Sequence, residues 1–492
     1  MTGKNAGTTN SVNRVQALQV EGKRGPVMSI RRSAMVGAAA IAMSLSAGQP
    51  AMSESMADAM VMAVQASPEL LAGRANVKVL AEQAVQARAG GRINVSGTVD
   101  FTSRFDDLQQ WFFPLSVQLD VTQPLFTGGQ VENSTQAATT RISAEQARLI
   151  ASEQSVLLNT VIAYMDVRST QTLVSLSRNN VRVIAEQLRA AEERFEVGEV
   201  TRTDVAQAEA RLAAARSTLA ALEGQLDVAR EAYKRVVGKY PGQLQPPPPL
   251  PDLPETVQQA LSITVADDPS LNAARLERKA AGSDVRVAIG ALLPQLSLLG
   301  QVRRSDADIR GEGFGPFPGA DTEATIGLRL TIPFFSGGAN YSNIREAQAQ
   351  VEARLADIDL ALKEASQRVG IAWADLRVAR ATIRAGVLEV RAAQIAFEGV
   401  QEEAKVGART TLDVLDAEQE LLDARGDLVT ARRDEYVAAY SLLFSIGKLT
   451  VSHLGLNLGD LVSVASYYDT VKDRNFGYDD SDDTVWTLSY RP

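Results

Sequence analysis

The chain has 492 residues, a net charge of −9, 45% hydrophobic but only 5% aromatic residues, no cysteine and one histidine, His453. Without cysteine there are no disulfides, thiol nucleophiles or thiolate metal sites, and a single histidine leaves no histidine-based metal centre or triad. The acidic balance argues against nucleic acid, whose phosphates require a basic patch, and an alanine-rich, aromatic-poor chain suits long, close-packed helices better than a thick core.

Residues 1–51 read as a leader and signal peptide, with Met28 as an alternative start. Arg31 and Arg32 precede a short apolar run, Ala34–Leu45, and small residues follow at Ser46 and Ala47. The run is too short to span a bilayer. No later stretch is apolar enough for a membrane helix, so entry into a membrane must be by strands.

Residues 52–244 form a first structural repeat. Residues 55–89 have helical spacing, with Ser67 and Pro68 suited to a helix start. After Gly90-Gly91 the period falls to two. Arg92–Phe105 sets Ile93, Val95, Val99 and Phe101 against Asn94, Ser96, Thr98 and Asp100. A polar loop and Trp111–Phe113 lead to a second alternating strand from Leu115, which Pro124 is expected to end because proline donates nothing to a ladder. Beyond Gly128 and Gly129 a helical pattern runs from Val131 to Arg235, broken only at Val197–Thr201. Its first arm of about 65 residues would measure roughly 100 Å.

Residues 245–254, QPPPPLPDLP, are a stiff extended linker. A second repeat then occupies residues 255–449. Its strands, Gln295–Arg303 and Glu323–Ile332, flank a loop rich in Gly and Asp. From Pro333 onward it matches the first repeat at a constant shift of 209 residues: Pro124 with Pro333, Gly128 with Gly337, Gly129 with Gly338, Gly198 with Gly407, Glu209 with Glu418. The two helical hairpins therefore have equal length. At both tips, Val-Gly (Val197-Gly198 and Val406-Gly407) ends one helix and Thr-x-x-Asp (Thr201 to Asp204, Thr410 to Asp413) starts the next. The extension 450–492 does not repeat and should lie partly against the helices and partly disordered.

Four strands with one apolar face cannot enclose a lumen, since membrane barrels need about eight or more, so the chain must pool strands with copies of itself. Phe112, Phe113, Phe126, Phe334 and Phe335 lie at strand ends, where an interfacial aromatic girdle belongs. No nucleophile–base arrangement, phosphate loop or metal spacing is present, so an enzyme is not expected and no cofactor is called for. A soluble periplasmic coiled-coil or adaptor protein is the competing class. It would need the helices but not the strands.

The duplicated helix–strand–strand–hairpin unit, the Pro-x-Phe-x-Gly-Gly strand exits and the paired V-G-x-x-T-x-x-D-V tips resemble the TolC family of outer-membrane channel proteins over residues 55–449. The resemblance implies a mainly α, α+β fold. Long antiparallel hairpins would form an α-barrel in the periplasm, and four transmembrane strands per chain would join a shared twelve-stranded barrel in the outer membrane. It implies a homotrimer that works with a periplasmic adaptor and an inner-membrane ABC transporter or other pump. By motif position it assigns Asp413 and Asp416 to the pore constriction and Asp204 and Arg409 to a gate latch. Val197, Gly198, Thr201, Val406, Gly407 and Thr410 would meet the adaptor, and Pro124, Gly128, Gly129, Pro333, Gly337 and Gly338 would join barrel to helices. A tyrosine of the latch in some members falls at Ala404. Read without the family, Thr201, Asp204, Thr410 and Asp413 are plain capping residues, and Asp416 and Arg409 plain surface charges. The expected role is the exit duct of type I protein secretion, with small-molecule efflux as the alternative.

Overall fold

The computed structural model describes residues 53–102, 104–105, 111–112, 115–306, 320–456 and 467–476. The signal-peptide reading, Phe113 and most of the loop between the second pair of strands lie outside these residues. Helices α1 (Met56–Ala66) and α2 (Pro68–Ala89) meet at Ser67, whose side chain accepts the Leu70 N–H at 3.4 Å while Pro68 opens the second helix. The chain then enters β1 (Asn94–Phe101) and a two-residue ribbon, β2 (Arg104–Phe105) with β3 (Trp111–Phe112). It returns along β4 (Leu115–Phe126) and continues into α3 (Gln130–Glu196) and α4 (Arg202–Val237). The second repeat contributes α5 (Val257–Asp267), α6 (Pro269–Gly290), β5 (Gln295–Asp306), β6 (Ala320–Thr331), α7 (Ala339–Lys405) and α8 (Thr411–Ser445).

The four long strands form one antiparallel sheet in the order β1-β4-β5-β6. Its register sorts the alternating residues onto two faces. Val95, Val121, Gly300 and Ile326 form one row, and Gly97, Leu119, Val302 and Ala324 the next. The opposite face carries Ser96, Asp120, Gln301 and Thr325, then Thr98, Gln118, Arg303 and Glu323. Asp120 accepts amide hydrogens from Gln118 at 2.9 Å and from Gln301 at 3.2 Å. The apolar face is bare within the chain: Val99 is 67% and Ile326 79% exposed. Such a surface suits a bilayer and not water.

The strands depart from expectation at Pro124, which does not end β4. The strand runs on to Phe126, with a register shift between Pro124 and Phe126. Pairing with β1 stops at Asn94–Thr122, so beyond it Pro124 lies on a strand paired only with β5, where a missing donor costs little. Strands β5 and β6 also reach further into the loop than expected, to Asp306 and from Ala320.

Helices α3 and α7 have 67 residues each, about 100 Å at 1.5 Å per residue. Their hairpin partners have 36 and 35. Helix α8 lies antiparallel to α3 in a constant register: Leu415 clusters with Ile184, Gly426 lies against the Leu173 side chain, and Arg433 pairs with Asp166 at 2.6 Å. The largest core cluster sits at mid-height around Leu157, Tyr164, Tyr233 and Leu442. Glu54 and Leu244 form a parallel bridge there, and Tyr164 donates to the carbonyls of Glu54 at 3.0 Å and Gln245 at 2.8 Å. Among the described residues no helix is long and apolar enough to cross a membrane.

Part of the C-terminal extension packs against the helices. Helix α9 (Tyr467–Val471) packs on α2, with the Tyr467 hydroxyl on Glu82 at 2.9 Å. Arg92 donates to the Lys472 carbonyl at 2.8 Å and to Asn475 at 2.7 Å. Arg88 pairs with Asp473 at 3.2 Å.

At the strand exits, Gly128 and Gly129 (φ +65 and +75) precede α3, and Gly337 and Gly338 (φ +63 and +86) precede α7. The two exits differ in their surroundings. A Cβ on Gly128 would collide with the Gly290 carbonyl, whereas one on Gly337 meets nothing. Gly337→Ala should cost about 1–2 kcal/mol from the left-handed backbone alone, and Gly128→Ala more. Unfolding midpoints in detergent check the order. Equal midpoints would show that Gly337 is also packed in the assembled protein.

Candidate functional site

The two hairpin tips are built from the same parts. Helix α3 ends in a left-handed Gly198 (φ +80), where the Gly198 N–H reaches the Phe195 carbonyl at 3.0 Å and the Glu199 N–H reaches Arg194 at 2.9 Å. Helix α7 ends identically at Gly407 (φ +79), with Gly407 on Ala404 at 3.1 Å and Ala408 on Glu403 at 2.9 Å. Only a residue without Cβ takes this turn without strain.

Each following helix opens with a reciprocal cap. The Thr201 hydroxyl accepts the Asp204 N–H at 3.3 Å, while Asp204 accepts the Thr201 N–H and hydroxyl, both at 2.8 Å. Thr410 and Asp413 repeat this at 3.2, 2.9 and 2.8 Å. The Thr201 and Thr410 backbone and hydroxyl donors hold both carboxyls below the usual carboxylate range. The capping reading of these four residues is therefore correct, and it leaves both carboxylates charged at the hairpin tips.

The charges expected at the gate have partners within the chain. Asp416 forms an ion pair with Arg211 of α4, which ties the second hairpin to the first. Arg409 is bound by Glu403 at 2.8 Å, and Glu403 reinforces its positive charge. Asp204 is engaged by Thr201, so the structure does not bring Asp204 and Arg409 together within one chain. Val197 and Val406 stand 72% and 81% exposed at the turns. Ala404 lines a cavity of 150 Å³ with Ala190, Ala191 and Arg194, space that a larger side chain at this position would take.

One residue was missed by the sequence reading. Glu418, two residues beyond Asp416, is 8% exposed, and its Oε2 is buried with no hydrogen-bond partner among the described residues. Burial pushes its carboxyl up to about 7. Its repeat counterpart Glu209 is exposed. The available signal was positional, since Glu418 continues the apolar stripe of Val414, Leu415 and Leu421.

The model of one family, described as outer membrane efflux protein, matches residues 59–239 and 260–448. The chain belongs to the outer membrane efflux protein family. It is 35% identical over 430 residues to the outer membrane efflux protein BepC of Brucella suis, covering 87% of this chain and 93% of BepC. It is 26% identical over 352 residues to the alkaline protease secretion protein AprF of Pseudomonas aeruginosa, covering 70% and 72%. In fold it is similar to the CmeC outer membrane channel of Campylobacter jejuni, with a TM-score of 0.71 at 16% identity over 85% of this chain and 89% of CmeC.

The resemblance to TolC-type channels is thereby borne out. This family member is an outer-membrane channel protein with a helical tunnel, and not an enzyme. The soluble coiled-coil reading fails with that assignment, and the four-stranded sheet is the part it could not explain.

Proposed function

We propose that three copies of the chain assemble into one duct, and that this duct is the exit path of a type I protein secretion system. One observation carries the reading. The sheet has an apolar and a polar face, and its edges β1 and β6 have no partner strand among the described residues. Pooled strands of three chains would put the polar face on a lumen continuous with the helical tunnel. Arms of equal length bring both tips of every chain to one rim. There Asp413 and Asp416 narrow and charge the opening, and Asp204 and Arg409 latch it. A periplasmic adaptor meets the turns at Val197, Gly198, Thr201, Val406, Gly407 and Thr410, and an inner-membrane ABC transporter or other pump drives export. Pro124, Gly128, Gly129, Pro333, Gly337 and Gly338 join barrel to tunnel.

Secretion is supported by the resemblance of the second tip, VGARTTLDVLDAEQELLDAR, to secretion-type members of the family and by the protease secretion named for AprF. Small-molecule efflux is the second reading, favoured by the name of BepC at higher identity. Deleting the gene separates them. Secretion predicts that at least one protein disappears from the medium. An unchanged set of secreted proteins with raised sensitivity to drugs or detergents would overturn it in favour of efflux.

A further inference from the structure

The seam between the two hairpins contains polar groups that capping and pairing do not use. Helix α3 descends as α8 ascends, and the contacts Leu415 with Ile184 and Gly426 with Leu173 fix their register. Glu418 falls between these contacts, level with Val181 and Asn180. Asn180 is 6% exposed, and its Oδ1, like the Glu418 Oε2, is buried without a partner among the described residues. Ile184, Ala208, Leu212, Ala215 and Leu415 make the surrounding seam apolar.

We propose that Glu418 and Asn180 form a proton-binding site in the seam, filled while the second hairpin packs on the first and emptied when the hairpins part. The register puts two buried, unsatisfied acceptors at the same level of the seam, and one proton on the carboxyl would turn Glu418 into a donor for the Asn180 carbonyl. Several charged groups on the neighbouring helices are committed elsewhere. Arg178 is bound to Glu223, Arg182 to Asn179, Arg211 to Asp416, and both Arg425 and Glu398 to Gln394. Burial alone raises the Glu418 carboxyl to about 7, with no charged neighbour contributing. Parting the hairpins returns it to water, where a carboxyl titrates near 4.5.

The sign follows. The packed state holds the proton more tightly. Below about pH 4.5 both states are protonated and packing carries no penalty. As pH rises towards 7 the packed state must keep a proton that the parted state has released, so parting becomes easier by up to about tenfold per pH unit per chain. The tips would thus open more readily in neutral than in acidic surroundings. This rests on the reading of the tips as the gate of a duct.

Open probability of the purified protein in planar bilayers, measured from pH 5 to 8, tests it. The wild type should rise by about tenfold or more across this range. Glu418→Gln, which keeps a donor without titrating, should stay near the acidic value at every pH. Asn180→Leu removes the acceptor of the protonated form and should move the midpoint to lower pH. A flat wild-type response, an unchanged slope in Glu418→Gln, or an unmoved midpoint in Asn180→Leu would overturn the proposal and leave the duct intact. A folded protein that conducts at no pH would overturn the duct reading as well.

Discussion

Replacing Asp413 by Asn and Asp416 by Ala together is expected to weaken block of single-channel current by divalent cations by tenfold or more. If three chains meet at the rim, these positions bring six carboxylates to one narrow opening, and such a ring binds multivalent cations. The two positions act differently. Asp413 also accepts the Thr410 N–H at 2.9 Å, so Asn is chosen there to remove the charge while keeping an acceptor for the cap. Asp416 is paired with Arg211, so Asp416→Ala both deletes a negative charge and releases a positive one. The single Asp416→Ala variant should therefore weaken block nearly as much as the double variant. Because the Thr410 donors hold the Asp413 carboxyl below the usual range, it stays ionised through mildly acidic conditions and loses charge only as pH falls through its lowered value. Block by Asp413 should accordingly persist at pH 5. Undiminished block in the double variant would place the constriction elsewhere in the tunnel.

Glu54→Ala should destabilise the protein by about 2–4 kcal/mol. Glu54 is 6% exposed. Its carboxylate accepts the Tyr233 hydroxyl at 2.7 Å and the Gly242 N–H at 3.3 Å. Its backbone is held by Gln243 at 2.8 Å and Gln245 at 3.0 Å. The residue thus fastens the segment before α1 to the end of α4 and to the start of the proline-rich stretch. Removing the carboxylate strands the buried Tyr233 hydroxyl, whose proton is firmly kept because burial and Glu54 both push its ionisation up. Lys239, 3.5 Å away but half exposed, adds little. The unfolding midpoint in detergent should fall for Glu54→Ala and recover in part for Glu54→Gln. Cation block at the tips should be unaffected in both. A midpoint within experimental error of the wild type would show that this knot is redundant.

What could be read from the residues followed from periodicity and from repetition. A change from period 3.6 to period 2 at Gly90-Gly91 located β1, and the alternation of Leu115 to Val121 predicted the face that the register gives it. Val-Gly followed by Thr-x-x-Asp named both tips, because their chemistry is local to a few residues. What could not be read depends on groups distant along the chain. Pro124 looked like a strand end because its sequence neighbours do not reveal that β1 has already stopped pairing. Arg211 lies about two hundred positions from Asp416, with nothing local to join them. Glu418 and Glu209 are equivalent in the repeat, yet one is buried and the other exposed. Burial is set by which hairpin packs on which, and an alignment of the two halves treats them as interchangeable.

The four-stranded sheet has a kinetic consequence. Strands β1 and β6 each offer a row of backbone donors and acceptors with no partner strand among the described residues, and lipid cannot satisfy them. If strands of other chains complete the barrel, as proposed, a single chain cannot finish its membrane insertion alone, and the step that seals the sheet is an encounter between chains. Its rate must rise faster than in proportion to the number of chains awaiting insertion. A cell that halves synthesis of this protein should lose more than half of its newly formed channels per unit time, and the unsealed chains that accumulate are the form most exposed to periplasmic proteases.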